Sequence, residues 1–267
     1  MSNTINMHRF WHLELIPPKH ATADIEADLE KFAERFTRIQ ESGFCASITD
    51  NAMGKLCFQG TEMIDELELE AKPGQVLIHL NTYHEKKELI QIFETAKKHG
   101  IYDFLALTGD GNERRHRLEK SELDDERDGL ATSVELIRFI KKNYPEFTVG
   151  AAFNPYEPPE FEFEKLARKV EAGAAYVITQ PILGKNELVD RVLNEYPDLP
   201  VVVETWMSKK LSLLSEVIGK TIPEDTVYDP LEELKLARAN YPECGNYLAM
   251  VGYIKQYPKL EELFGTI

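Results

Sequence analysis

The stretch Ala172-Gly173-Ala174-Ala175-Tyr176-Val177-Ile178-Thr179-Gln180-Pro181 decides the fold. From Ala174 to Ile178 every residue is apolar, as expected of a strand buried on both faces of a parallel sheet. The Ala172-Gly173 step before it supplies the left-handed turn that ends a helix and turns the chain into the strand. Gln180 then sets a polar side chain at the strand tip. The same unit recurs outward in both directions, with apolar runs at Trp11–Ile16, Phe44–Thr49, Gln75–Leu80, Phe104–Thr108, Thr148–Phe153, Ala175–Thr179, Pro200–Glu204 and Asn246–Val251. Between them, helical spacing marks Ala23–Gln40, Glu85–His99, Leu130–Asn143, Phe161–Ala172, Asn186–Glu195, Lys209–Gly219 and Leu231–Asn240. Strand and helix in strict alternation predict an α/β fold, the TIM barrel of eight β/α units. In that fold the carboxyl ends of all strands share one mouth, where the chemistry sits. Glu14, Asp50, His79, Asp110, Asn154, Gln180 and Glu204 are therefore expected to converge.

The chain has 267 residues, close to the usual barrel length of roughly 250. No linker or composition break divides it, so residues 1–267 read as a single catalytic barrel domain. Its 46 acidic and 31 basic residues leave a formal charge of −15, which opposes binding to nucleic acid or anionic lipid. No apolar run reaches the roughly 20 residues of a membrane span. The start, Met1-Ser2-Asn3-Thr4, lacks the basic and apolar regions of a secretory signal, and the expected location is cytoplasmic. Cys45, Cys57 and Cys244 have neither paired nor metal-binding spacing and read as free thiols; no metal site is expected. The basic cluster Arg114-Arg115-His116-Arg117, followed by a run of acids, is either an internally paired, solvated loop or a contact for a ligand phosphate.

Glu14 lies within an apolar strand. Alternation puts Leu13 and Leu15 on one face and His12, Glu14 and Ile16 on the other. An inward carboxyl is costly unless protonated or hydrogen-bonded, and burial raises its pKa, which suits a general acid. The alternative is a Glu bonded within the barrel floor or paired with Lys19. Asp110 follows Gly109 just past a strand, as a rim carboxylate or as a turn cap. Gln180 offers both a donor and an acceptor, suited to the amide-like edge of a heterocycle. His79 can bond a cofactor or stand as a satisfied rim histidine.

In order along the chain, His12-Leu13-Glu14-Leu15-Ile16-Pro17-Pro18-Lys19, Ser47 to Gly54, Ile78-His79-Leu80, Ala106-Leu107-Thr108-Gly109-Asp110, and Lys169 to Ala174 with Ile178-Thr179-Gln180 resemble motifs of the methylenetetrahydrofolate reductase family. Agreement covers about the first 180 residues; the last third resembles the family in length and strand rhythm. The resemblance implies reduction of 5,10-methylenetetrahydrofolate to 5-methyltetrahydrofolate by flavin-mediated hydride transfer from NAD(P)H or another donor. It implies that Glu14 is the acid that protonates the folate ring nitrogen, and that Asp110 is a catalytic and pterin-binding carboxylate. Gln180 becomes a folate contact, and Thr49, His79, Asp110, Ala151 and Lys169 become FAD contacts. Thr108 stands where family flavin sites commonly have Arg, and the loop Ala151 to Glu157 departs from the usual Tyr and His. The Arg114–Arg117 cluster is the candidate replacement partner for a diphosphate.

Two other readings share these residues. One is a pterin-binding methyl-transfer component that works with a cobalt-cofactor protein; the other is a non-catalytic subunit that binds a protein of one-carbon metabolism. A homo-oligomer or a redox partner protein is compatible with each.

Overall fold

Parallel pairing runs without interruption around a closed barrel of β1 (Trp11–Leu15), β2 (Cys45–Ile48), β3 (Val76–Leu80), β4 (Asp103–Ala106), β5 (Thr148–Phe153), β6 (Tyr176–Thr179), β7 (Val201–Trp206) and β8 (Gly245–Ala249). The last strand pairs with the first, His12 opposite Tyr247 and Leu13 opposite Leu248. This computed structural model describes residues 11–111, 114–223 and 225–264; the segment Met1 to Thr4 lies outside them. Between and after the strands run α1 (Ile25–Glu41), α2 (Gly60–Glu66), α3 (Lys86–Lys98), α4 (Ser133–Asn143), α5 (Pro159–Glu171), α6 (Glu187–Glu195), α7 (Leu211–Ile218), α8 (Pro230–Asn240) and α9 (Tyr257–Phe264). No described helix is long and apolar enough to cross a membrane.

Local chemistry sets the boundaries. The helix expected from Leu130 begins at Ser133, because the Thr132 hydroxyl and the Glu135 carboxylate form a reciprocal capping box. The helix expected from Ala23 begins at Ile25, where the Asp24 side chain accepts the Ala27 amide. The strand expected to reach Val251 stops at Ala249, since Met250 takes a left-handed φ of 60°. Gly100 and Gly173 have φ of 68° and 109°, so each supplies the expected left-handed turn ahead of its strand. Two helices have no counterpart in the periodicity reading: α2 has only seven residues, and α9 lies beyond the last strand. Tyr257 of α9 is fully buried, edge-on to Phe44, and donates its hydroxyl to the Arg38 carbonyl.

Side-chain alternation divides the apolar residues into two layers. Leu13, Leu15, Ile48, Ile78, Phe104, Ala151, Val177 and Leu248 pack outward under the helices. Cys45, Leu77, Leu105, Tyr176, Ile178, Val202, Trp206 and Tyr247 pack inside the barrel. The interior also holds polar groups, with His12 Nδ1 3.0 Å from Ser47 Oγ and Asp103 buried nearby. Gly150 makes room for the floor: a Cβ there would lie 2.4 Å from the Tyr176 ring, which is itself 2% exposed.

Two outcomes follow from this floor. Gly150→Ala should destabilise the protein by about 1–3 kcal/mol through overpacking, read from denaturant unfolding; unchanged stability would mean that Tyr176 can shift. Burial lifts the Asp103 carboxyl to about 7. Because the folded state favours the neutral acid, its contribution is intact below the ordinary Asp value of about 3.9 and is lost as pH rises through about 7. Asp103→Asn should therefore lose less thermal stability than the native protein between pH 5 and pH 8.

Candidate active site at the carboxyl mouth of the barrel

The strand ends enclose a cavity of about 510 Å³. Glu14, Thr49, His79, Asp110, Gln180 and Glu204 all line it, brought together from six different strands or the loops that follow them. Two residues expected to converge do not reach it. Asp50 turns into the barrel wall, where it accepts the Asn81 amide at 2.9 Å, His84 Nε2 at 2.7 Å and Asn51 Nδ2 at 2.9 Å. Asn154 lies beside a neighbouring cavity and accepts the Tyr156 amide. Burial pulls the His84 imidazole down, but Asp50 and Glu88 outweigh it and lift it to about 9. A charged, buried His84 thus ties the β2 and β3 loops together.

Glu14 projects from β1 into the mouth as alternation requires. Its Oε2 accepts the Met250 amide at 2.9 Å, while its carbonyl accepts the Tyr253 hydroxyl. Burial raises its carboxyl above the ordinary range, and the Met250 hydrogen bond opposes that rise. Lys19 is exposed, and its backbone pairs instead with Cys57 in an isolated antiparallel bridge. Glu204 faces the same cavity from β7. Burial and then the nearby Glu14 drive its carboxyl well above the ordinary range. Both side chains keep some surface exposure, but that surface faces the enclosed mouth.

His79 is held near pKa 4, first by burial and further by His12, against an opposing pull from Asp50. It is neutral at physiological pH, and its Nε2 is buried without a hydrogen-bond partner among the described residues. Its ring lies 5.9 Å from that of Tyr247. Gln180 is anchored through its backbone amide to the Phe153 carbonyl, and its side chain bonds nothing among the described residues. Asp110 is exposed at the rim and accepts the Met53 amide at 2.9 Å. Gly109 before it has φ 84°, and a Cβ there would meet Asn81 at 2.6 Å, so its close approach is to the β3 loop.

The expected flavin contacts separate into two places. Thr49, His79 and Asp110 line the mouth. Lys169 lines an adjoining cavity of about 310 Å³ with Thr108, Ser133, Asn154, Lys165 and Arg168. The side chain of Ala151 packs outward under the helices; Ala152, its neighbour, lines both cavities. Lys169 donates to the Ala152 carbonyl at 2.6 Å and sits 3.8 Å from Glu162, and burial lowers its pKa to about 8. Thr108 accepts the Ser133 amide, helping to cap α4 where the family commonly places an Arg. Arg115 of the basic cluster turns to Glu88 at 3.1 Å and the Tyr83 carbonyl at 3.3 Å. Downstream acids are also paired, with Asp124 on Lys86 and Asp125 on Arg127 and Arg138. Met53, within the Ser47 to Gly54 motif, also lines the mouth, as do Trp206, Tyr247 and Met250; no motif marks the last three, although alternation along β7 and β8 turns Trp206 and Tyr247 inward.

The fold and site are those of a closed parallel barrel whose mouth gathers carboxyl, amide and imidazole side chains. The family model for methylenetetrahydrofolate reductase matches residues 2–250, and the chain belongs to that family. It is 25% identical over 243 residues to methylenetetrahydrofolate reductase 2 of Schizosaccharomyces pombe, a match covering 82% of this chain and 36% of the relative. The chain thus spans well under half the length of that relative. Among solved structures, a Clostridium thermocellum protein that binds two copies of 5-methyl-5,6,7,8-tetrahydrofolic acid shares the fold at a TM-score of 0.67 and 14% identity, covering 98% of this chain and 96% of the other. Phosphonopyruvate hydrolase in complex with oxalate and Mg²⁺ is similar at a TM-score of 0.51 and 10% identity, covering 97% and 81%.

The Asp110 contact holds Met53 at a φ of 56°, a left-handed conformation unfavourable for a side chain with a Cβ. Asp110→Ala should release this loop, with faster amide hydrogen exchange at residues 51–55 and unchanged exchange in the barrel strands. Equal protection in both proteins would show that the loop holds itself.

Proposed function

We propose that this chain reduces the methylene bridge of 5,10-methylenetetrahydrofolate to a methyl group, with FAD as hydride carrier and NAD(P)H or another reductant as donor. The observation that carries this reading is the convergence of Glu14, Asp110 and Gln180 on one mouth, with Glu14 raised toward its protonated form by burial. Membership in the reductase family and the folate bound to the Clostridium neighbour support the substrate class.

The residues present fit a flavin. His79 offers a buried Nε2 with no partner among the described residues, available to bond a ring heteroatom, and the adjoining cavity carries Lys165, Arg168 and Lys169. Bound FAD would supply hydride transfer; the protein supplies position, proton and field. Glu14 delivers a proton to the folate nitrogen whose bond to the methylene carbon opens. Asp110 and Gln180 take the donor and acceptor edge of the pterin. The apolar wall of Leu105, Leu107, Ile178 and Trp206 accommodates the planar ring and limits water.

Glu14→Gln should leave folding and ligand binding intact and lower folate turnover by about 10²–10⁴-fold, since an amide cannot donate that proton. An equal fall in nicotinamide oxidation by an artificial acceptor would assign Glu14 to cofactor or fold instead. Asp110→Asn and Gln180→Leu should each weaken folate binding by about 1–3 kcal/mol, measured by calorimetry; unchanged affinity in both would reject a shared pterin pocket. Reconstitution with FAD, followed by absorbance and a methyl-folate assay, tests the cofactor. Product without bound flavin would mean direct hydride transfer. Folate binding with no product under either condition would favour the methyl-transfer reading.

A further inference from the structure

We propose that Glu204 is a positioning residue for the proton of the site: its carboxyl exchanges a proton with Glu14 across the mouth and reloads Glu14 after each transfer. The inference rests on the reading of Glu14 as the acid and extends it to a second group. Glu14 on β1 and Glu204 on β7 flank β8, which pairs with both strands. Tyr247 of β8 is the register partner of both Glu204 and His12, and its side chain enters the barrel between the two strands that carry the carboxyls. Both carboxyls line the same cavity.

The groups facing Glu204 are Glu14 from β1, Tyr247 from β8, Tyr156 from the loop after β5 and Glu216 from α7, with His79 and Asp110 across the mouth. No Lys or Arg is among the described residues lining the cavity. Two carboxylates confined without a cation repel, so the pair retains a proton where an isolated carboxyl would lose it. The two sites are unequal. Glu14 has the Met250 amide to support its anion, whereas burial and the nearby Glu14 both oppose ionisation of Glu204. Glu204 is therefore the reserve. As Glu14 gives its proton to substrate, its O–H bond breaks and the substrate N–H bond forms. The Glu204 O–H bond then breaks as that of Glu14 re-forms, and Glu204 recovers a proton from solvent at the mouth. No electrons are exchanged in these steps.

The test uses ligand-free protein and the working enzyme separately. In pH-difference infrared spectra, Glu14→Gln should move the Glu204 carboxyl band to lower pH by about one unit or more, because the like charge beside it is gone. A band that stays in place would overturn the pairing whether or not the protein reduces folate. In turnover, Glu204→Gln should move the alkaline limb of the pH profile down by about one unit or more, since Glu14 loses its reserve proton. Glu204→Asp should restore part of that shift. A rate reduced equally at every pH, with the limb unmoved, would make Glu204 merely structural and overturn the proposal. If Glu204→Gln fails to fold, the Glu14→Gln spectra and the Glu204→Asp profile still decide. A linked band in a protein that never reduces methylene-folate would support the proton pair and remove the reductase reading; folate reduction that depends on Glu14 without linkage would do the reverse.

Discussion

The pairing of β8 with β1 is the constraint on which the site depends. It closes the sheet, and one residue beyond β8 it brings the Met250 amide to the Glu14 carboxylate. Met250 donates there from a left-handed backbone just past the strand, so the end of β8 and the hydrogen bond to the acid fall at the same residue. Asp110 and Met53 repeat the device on the opposite rim, again with a methionine amide in a left-handed conformation bound to a mouth carboxylate. Backbone amides serve well here: they hold the carboxylates in place without bringing in a full positive charge that would drive the acid to ionise.

Much of the barrel was legible because parallel strands buried on both faces are apolar almost throughout, while C-terminal glycines mark where helices end. The inward direction of Glu14 followed from period-two alternation alone. Alternation also separates neighbours on β5: the side chain of Ala151 belongs to the helix layer, while Ala152 reaches the mouth. Asp50 was less accessible to such reasoning. A polar residue at a strand tip can face the mouth or bind the next loop, and only the three-dimensional approach of Asn81 and His84 settles which. The significance of Glu204 depended on closure, since it lies 190 residues from Glu14 in sequence and two strands away in the barrel. The short α2 and the terminal α9 carried too little periodic pattern to be read.

Electrostatics divide the mouth from its neighbour. The main cavity holds Glu14, Asp110, Glu204 and Glu216 with a neutral His79, a lining suited to N–H donors. The adjoining cavity contains Lys165, Arg168 and Lys169, with Glu162 neutralising part of their charge. A molecule with a polar heterocycle at one end and an anionic group at the other would find complementary surroundings on either side of Ala152. Thr108 removes one full charge from that arrangement relative to the common family pattern, and the cations that remain, Lys165, Arg168 and Lys169, are already partly engaged by carboxylates.

Gly150 and Tyr176 give the barrel a closed bottom. With the tyrosine ring folded over a position that has no side chain, and with Cys45, Leu77 and Asp103 buried around it, the interior below the mouth is filled by side chains. A ligand of the mouth therefore meets a packed floor and must come and go by the rim formed by the strand ends and their loops.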